Sequence, residues 1–133
     1  MRHPPSGLIV IAEESRSQHE NRVRALRRLR QALYLKLREP LPATTRPGAM
    51  PAVQDCRNGT GRLDIGKKDP RLWPAAGVIL DVLDATRARV SEAAELLDVS
   101  TANLIEFLAI SPKIWEEAQH LRGRFGQKPL RIT

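Results

Sequence analysis

The sequence predicts a mostly helical α+β protein: a short N-terminal strand and a long basic helix, a flexible linker, and a C-terminal helical bundle. Three observations carry that expectation. A β-branched, apolar run from Gly7 to Glu13 follows the turn signal Pro4-Pro5-Ser6-Gly7. Apolar residues from Val23 to Leu37 recur at spacings of three and four, and the same rhythm returns after Ala75. Between them, residues 40–77 are rich in proline and glycine and keep no period. The expected parts are therefore residues 1–39, 40–77 and 78–133.

Composition sets the outer limits. At 133 residues and 14.9 kDa the chain can form one domain with a real core. Apolar residues make up 41% and charged residues 28%, a globular balance; with aromatics at 4%, the core must be built from Leu, Ile, Val and Ala. Lys and Arg number 22 against 15 Asp and Glu, a net charge of +7, which favours a polyanionic partner. The charge is uneven: +5 on residues 1–39, +3 on 40–77 and −1 on 78–133. A single cysteine, Cys56, excludes an internal disulfide framework and a cysteine-rich zinc site. The longest apolar run, Leu8 to Ala12, is too short for a membrane span or a signal-peptide core. The expectation is a cytoplasmic protein with no membrane role.

Each element has a local reason. Leu8 to Ile11 reads as a strand. From Ser17 to Arg38, Val23, Leu26, Leu29, Leu33 and Leu37 make one apolar helix face, and Arg22, Arg24, Arg27, Arg28, Arg30, Lys36 and Arg38 are assigned to the other. Ser17 with Glu20 three residues on has the capping-box pattern, and Pro40 closes the helix. In residues 40–77 a short strand or turn is expected around Arg62 to Ile65, and Cys56 is simply a small residue without partners. Val78, Ile79, Val82 and Leu83 predict one short helix. Ser91 is expected to cap a second through Ala94, Leu96 and Leu97. Ser100 caps a third with Leu104, Ile105 and Leu108 inward. Pro112 sits at the first position of a fourth, which buries Ile114, Trp115, Ala118 and Leu121.

The densest cluster of polar chemistry is Arg16-Ser17-Gln18-His19-Glu20-Asn21-Arg22. Read as a strand leading into a helix, it places free amides and the positive end of the helix dipole beside two arginines suited to phosphate. Gln18, His19 and Asn21 add groups that bond to sugar hydroxyls or base edges. The bland alternative is a capped helix with a solvated basic face.

The order of residues adds to this. His3-Pro4-Pro5-Ser6-Gly7-Leu8-Ile9-Val10, then Glu14 to Arg22, then Ala25-Leu26, Leu29 and Leu33, resembles the bacterial-type class I peptide chain release factors. The match is to the part of their catalytic domain that follows the Gly-Gly-Gln loop, and it covers residues 2 to about 38. The resemblance implies action at the ribosome, in termination or rescue, where the family triggers hydrolysis of the ester joining peptide to tRNA. It implies that Arg16, Ser17, Gln18, Asn21 and Arg22 support that loop and face RNA. With His19 and the helix arginines Arg24, Arg27, Arg28 and Arg30, they form the expected RNA-binding set. Ribosomal RNA and peptidyl-tRNA are the implied partners. No small-molecule substrate, cofactor or metal site is expected.

The departures are as informative. The sequence contains no Gly-Gly-Gln, so no catalytic residue is assigned and the chain as given is expected to be inactive. In the family that motif lies upstream of the turn at His3 to Gly7. A misassigned start, a decayed fragment and a non-catalytic ribosome binder all fit; the first is the expectation. The histidines at 3, 19 and 120 lack metal-ligand spacing.

Residues 93–108 have the shape of a helix-turn-helix, with Asp98 where glycine is usual. A DNA-binding regulator is therefore the alternative function. Its second helix offers one Asn103 and one Glu106 and no cation, which argues against base reading. The ending Leu121 to Arg131 is a basic patch able to touch RNA, or Leu130 packs back on the bundle.

Overall fold

A computed structural model describes the backbone of residues 11–42 and 44–132, with side chains from Ser17 onward. Among the described residues the regular structure is helical. The elements are α1 (Ile11–Lys36), a 3-10 turn (Pro47–Ala49), α2 (Pro51–Gln54), α3 (Leu72–Ala85), α4 (Val90–Leu97), α5 (Thr101–Leu108) and α6 (Pro112–Arg124). The chain divides into two compact units, Met1–Ala32 and Leu33–Thr133. No helix is long and apolar enough to cross a membrane.

The α+β class is corrected to mostly helical, since no strand occurs among the described residues. Residues 8–10 of the expected strand lie outside them, as does His3. Ile11, its last residue, instead begins α1. The reason is local: no glycine or proline stands between Gly7 and Pro40, and Ala12, Glu13, Glu14, Arg16 and Gln18 are good or adequate helix formers. The helix therefore runs through Ser17 without a break. Ser17 is interior to α1, so the capping box and the strand-to-helix junction are not formed. The last residues of α1 belong to the second unit and are tied there. Lys36 Nζ lies 2.6 Å from Glu117, whose carboxylate is almost buried, and that carboxylate holds the Lys36 ammonium above its usual range. Arg38 donates to the Tyr34 and Leu35 carbonyls at 2.8 and 2.6 Å and pairs with Asp81 at 3.3 Å. These bonds satisfy the open end of the helix.

The core of the second unit is centred on α3. Leu72, Ala75, Ala76, Gly77, Ile79, Leu80, Val82 and Leu83 are all buried, so α3 is apolar on nearly every side, as a central helix must be. It packs against α2, α4 and α6, and α5 packs against α4 and α6. Leu97, Leu104, Leu108, Ile114, Ala118 and Leu121 fill the remaining core as the spacing predicted, with Trp115 at its margin. Each such leucine contributes roughly 1.5–3 kcal/mol by burial.

Helix boundaries follow recognisable chemistry. Ser100 caps α5 by accepting from the Asn103 amide at 3.0 Å, and Pro112 opens α6. Asp98 ends α4 in the left-handed region, φ 58°, with the Val99 amide returning to the Ala94 carbonyl at 3.0 Å. The expected cap at Ser91 is corrected: α4 begins at Val90, preceded by Arg89, which makes no side-chain cap.

Residues 44–71, read from sequence as part of a linker, are folded onto these helices. Val53, Cys56 and Leu63 are buried, delivered singly by the one-turn helix α2, the turn after it and an isolated bridge between Arg57 and Leu63, so no rhythm betrays them. Gly48 approaches the end of α4 so closely that a Cβ there would lie 2.8 Å from the Leu97 carbonyl. Arg57 clasps the same place, donating to the carbonyls of Gly48 at 2.9 Å, Gly61 at 2.8 Å and Leu97.

Cys56 is packed at 1% exposure, and burial pushes its thiol above the usual range. The thiolate is the reactive form. Cys56 in the native chain should therefore react with Ellman's reagent much more slowly than in urea-unfolded chain; equal rates would contradict this packing.

Candidate nucleic-acid interface

The expected RNA-binding residues all lie along α1. Ser17, His19, Asn21, Arg22, Arg24, Arg27, Arg28 and Arg30 are exposed. Gln18 is half-buried, and its Oε1 has no hydrogen-bond partner among the described residues. The backbone of Arg16 is helical; its side chain lies outside the described set.

An unbroken helix fixes which of these act together. At about 100° per residue, Arg24 and Arg28 fall on the side away from Val23, Leu26 and Leu29, and Arg27 lies at the edge between the two, next to Val23. Arg22 and Arg30 fall within or beside that apolar stripe, which corrects the expectation of one opposite basic face. Among the described residues Arg24, Arg27, Arg28 and Arg30 make no ion pair, and no acidic residue follows Glu20 within α1. Their charge is uncompensated along the helix. Because α1 does not begin at Ser17, the free amides and dipole of a helix start are not offered there, and any affinity for phosphate must come from side chains.

The apolar stripe is itself open. Leu26 is 51% exposed and Leu29 54%, with Val23 at 38%. Spacing identified the stripe, but periodicity cannot tell a covered face from an open one.

The helix-turn-helix shape is present as α4, Asp98 and α5, but its chemistry is structural. Asn103, the residue that could address a base, is 2% exposed. Its Oδ1 accepts from the Leu63 amide at 2.8 Å and its Nδ2 donates to the Leu63 carbonyl at 3.0 Å. Glu106 pairs with Arg62. Arg46 and Arg57 cover the turn: Arg46 lies 3.0 Å from the Asp98 carboxylate and donates to the Glu95 carbonyl at 2.5 Å. No sequence signal marked Asn103 as a structural clamp, because its partner is a backbone 40 residues away.

The chain is similar to two curated proteins. It is 45% identical over 42 residues to peptide chain release factor 1 of Gluconobacter oxydans, which covers 32% of this chain and 12% of the relative. It is 34% identical over 104 residues to peptide chain release factor 1 of Salinibacter ruber, which covers 66% of this chain and 29% of the relative. The similarity supports a release-factor-like relationship. The chain spans less than a third of the length of the curated relatives it matches. No protein-family model matches it, and no solved structure does.

Proposed function

We propose that this chain is a release-factor-like protein that acts at the ribosome in translation termination or ribosome rescue. Its contact with ribosomal RNA and peptidyl-tRNA runs along α1, with Arg24, Arg27 and Arg28 on phosphates. Arg16, Ser17, Gln18, His19, Asn21, Arg22 and Arg30 complete the surface. The observation that carries this reading is the row of exposed arginines without carboxylate partners on one side of an unbroken helix. Similarity to two peptide chain release factors supplies the ribosomal setting.

The mechanism is positioning rather than chemistry. An arginine row neutralises successive phosphates and fixes register on a nucleic acid without reading its bases. Hydrolysis of the peptidyl-tRNA ester needs a group that orients water at the carbonyl, and this sequence contains no Gly-Gly-Gln to do so. Positioning alone does not supply the interactions made only in the transition state.

The 133-residue chain should co-sediment with ribosomes through a sucrose cushion at low salt and release no peptide from programmed or stalled ribosomes. Absence from the ribosomal pellet would contradict the reading. Peptide release by this chain would show that the chemistry lies in residues other than the missing loop.

A further inference from the structure

The second unit holds a cationic cleft that the α1 surface does not include. It has a volume of about 750 Å³ and opens between the start of α4, the C-terminal half of α6 and residues 127–131. Arg89, Arg122, Lys128 and Arg131 line it, and among the described residues no carboxylate does. Val90 and Ile105 give part of its wall an apolar surface. The net charge of residues 78–133 is −1, so averaging over the sequence conceals this concentration of positive groups.

The cleft is built rather than incidental. Gly126, in the left-handed region at φ 70°, ends α6 and reverses the chain. The tail is then clamped by Gln119, whose Oε1 accepts from the Leu130 amide at 2.7 Å and whose Nε2 donates to the Leu130 carbonyl at 2.9 Å. Leu130 is 8% exposed, so it packs back on the bundle, while Lys128 and Arg131 on either side stay exposed. The sequence posed a basic patch and a packed Leu130 as alternatives; the structure shows Leu130 packed with the neighbouring cations still exposed. Arg122 joins the walls, donating to the carbonyls of Lys128 at 2.7 Å and Ala88 at 2.9 Å. Ala88 and Arg87 both have positive φ, 59° and 56°, an uncommon conformation for residues with a side chain. Gln127 also donates to the Arg87 carbonyl at 3.3 Å. The two walls are therefore locked to each other.

The charges are available. Arg122 spends its hydrogen bonds on carbonyls, which leave its positive charge in place. Among the described residues no carboxylate pairs with Arg122, Lys128 or Arg131. Arg89 meets Glu92 at 3.1 Å with both side chains half-exposed, a pair of the weak surface kind.

We propose that this cleft is an RNA-binding site of the second unit, taking phosphates of single-stranded RNA on Arg89, Lys128 and Arg131, with ribose or base against Val90 and Ile105. The open concavity and its cations suit the flexible backbone of a single strand, whose unstacked bases can reach Val90 and Ile105. Several cations around one concavity suit a chain of phosphates better than a single anion.

The test is fluorescence anisotropy of a labelled single-stranded uridine oligonucleotide, titrated with the full chain at several salt concentrations. Lys128→Gln with Arg131→Gln is made both in the wild-type chain and in one carrying Arg24→Ala, Arg27→Ala and Arg28→Ala. Both cleft side chains are exposed, so the thermal midpoint should hold and a fall in binding is not a fall in folding. The expected result is a salt slope about 1.4 smaller on the cleft substitution in both backgrounds, from two lost phosphate contacts. An unchanged slope and affinity would overturn the proposal, as would a duplex DNA probe binding as tightly as the RNA with the same loss. Co-sedimentation with ribosomes is a separate readout, so failure of the cleft and failure of the ribosomal reading are distinguishable.

Discussion

Asn103→Ala should destabilise the second unit by about 3 kcal/mol, because it strands both backbone groups of Leu63 in a buried site. In a domain of this size that is a fall of roughly 10–20 °C in the thermal midpoint. The pair is not an ordinary surface contact. Asn103 is 2% exposed and Leu63 4%, so water cannot take over the lost bonds without opening the core. Arg62→Ala is the comparison. It removes a neighbouring ion pair to Glu106 in which both side chains are about half exposed, and it should cost at most about 1 kcal/mol. Circular dichroism melts of both variants decide the matter. Similar small shifts would mean that the arm carrying Leu63 is held by something other than Asn103.

That clamp also explains which parts of the fold the sequence made legible. Helices α3, α5 and α6 announce themselves because their buried residues repeat every three or four positions and their ends carry Ser100, Pro112 and Gly126. The turn at Asp98 was readable for the same reason: aspartate tolerates the left-handed angle it adopts. Residues 44–71 were misread because their order rests on long-range partners. Arg57 finds carbonyls at Gly48 and Leu97, and Leu63 finds Asn103; neither leaves a local pattern. The error at Ser17 has the opposite origin. A local capping signal was present, but the residues before it also favour helix, and the longer helix won. For α1 as a candidate site, the sequence identified the arginines, and helix geometry then separated Arg24, Arg27 and Arg28 from Arg22 and Arg30. The cleft between α4, α6 and residues 127–131 was not legible as a cleft, since its cations come from segments up to 42 residues apart.

The second large effect concerns the arginines of α1. Electrostatic contact with RNA is recognised by its salt dependence, since each neutralised phosphate releases counterions. Three arginines side by side on phosphates contribute about 2 to the slope of log affinity against log salt. Hydrophobic contact through the open Val23, Leu26 and Leu29 stripe would contribute almost nothing to it. The change in slope on replacing Arg24, Arg27 and Arg28 therefore reports whether these three meet phosphates, and replacement by alanine should preserve the helix, alanine being the best helix former.

The most direct measurement is ribosome affinity as a function of salt, for the full chain and for its Arg24→Ala, Arg27→Ala, Arg28→Ala variant. The ribosomal reading predicts tight low-salt binding by the full chain and a slope smaller by about 2 in the variant. An identical slope and affinity in the two proteins would contradict it, leaving the arginines of α1 a solvated surface.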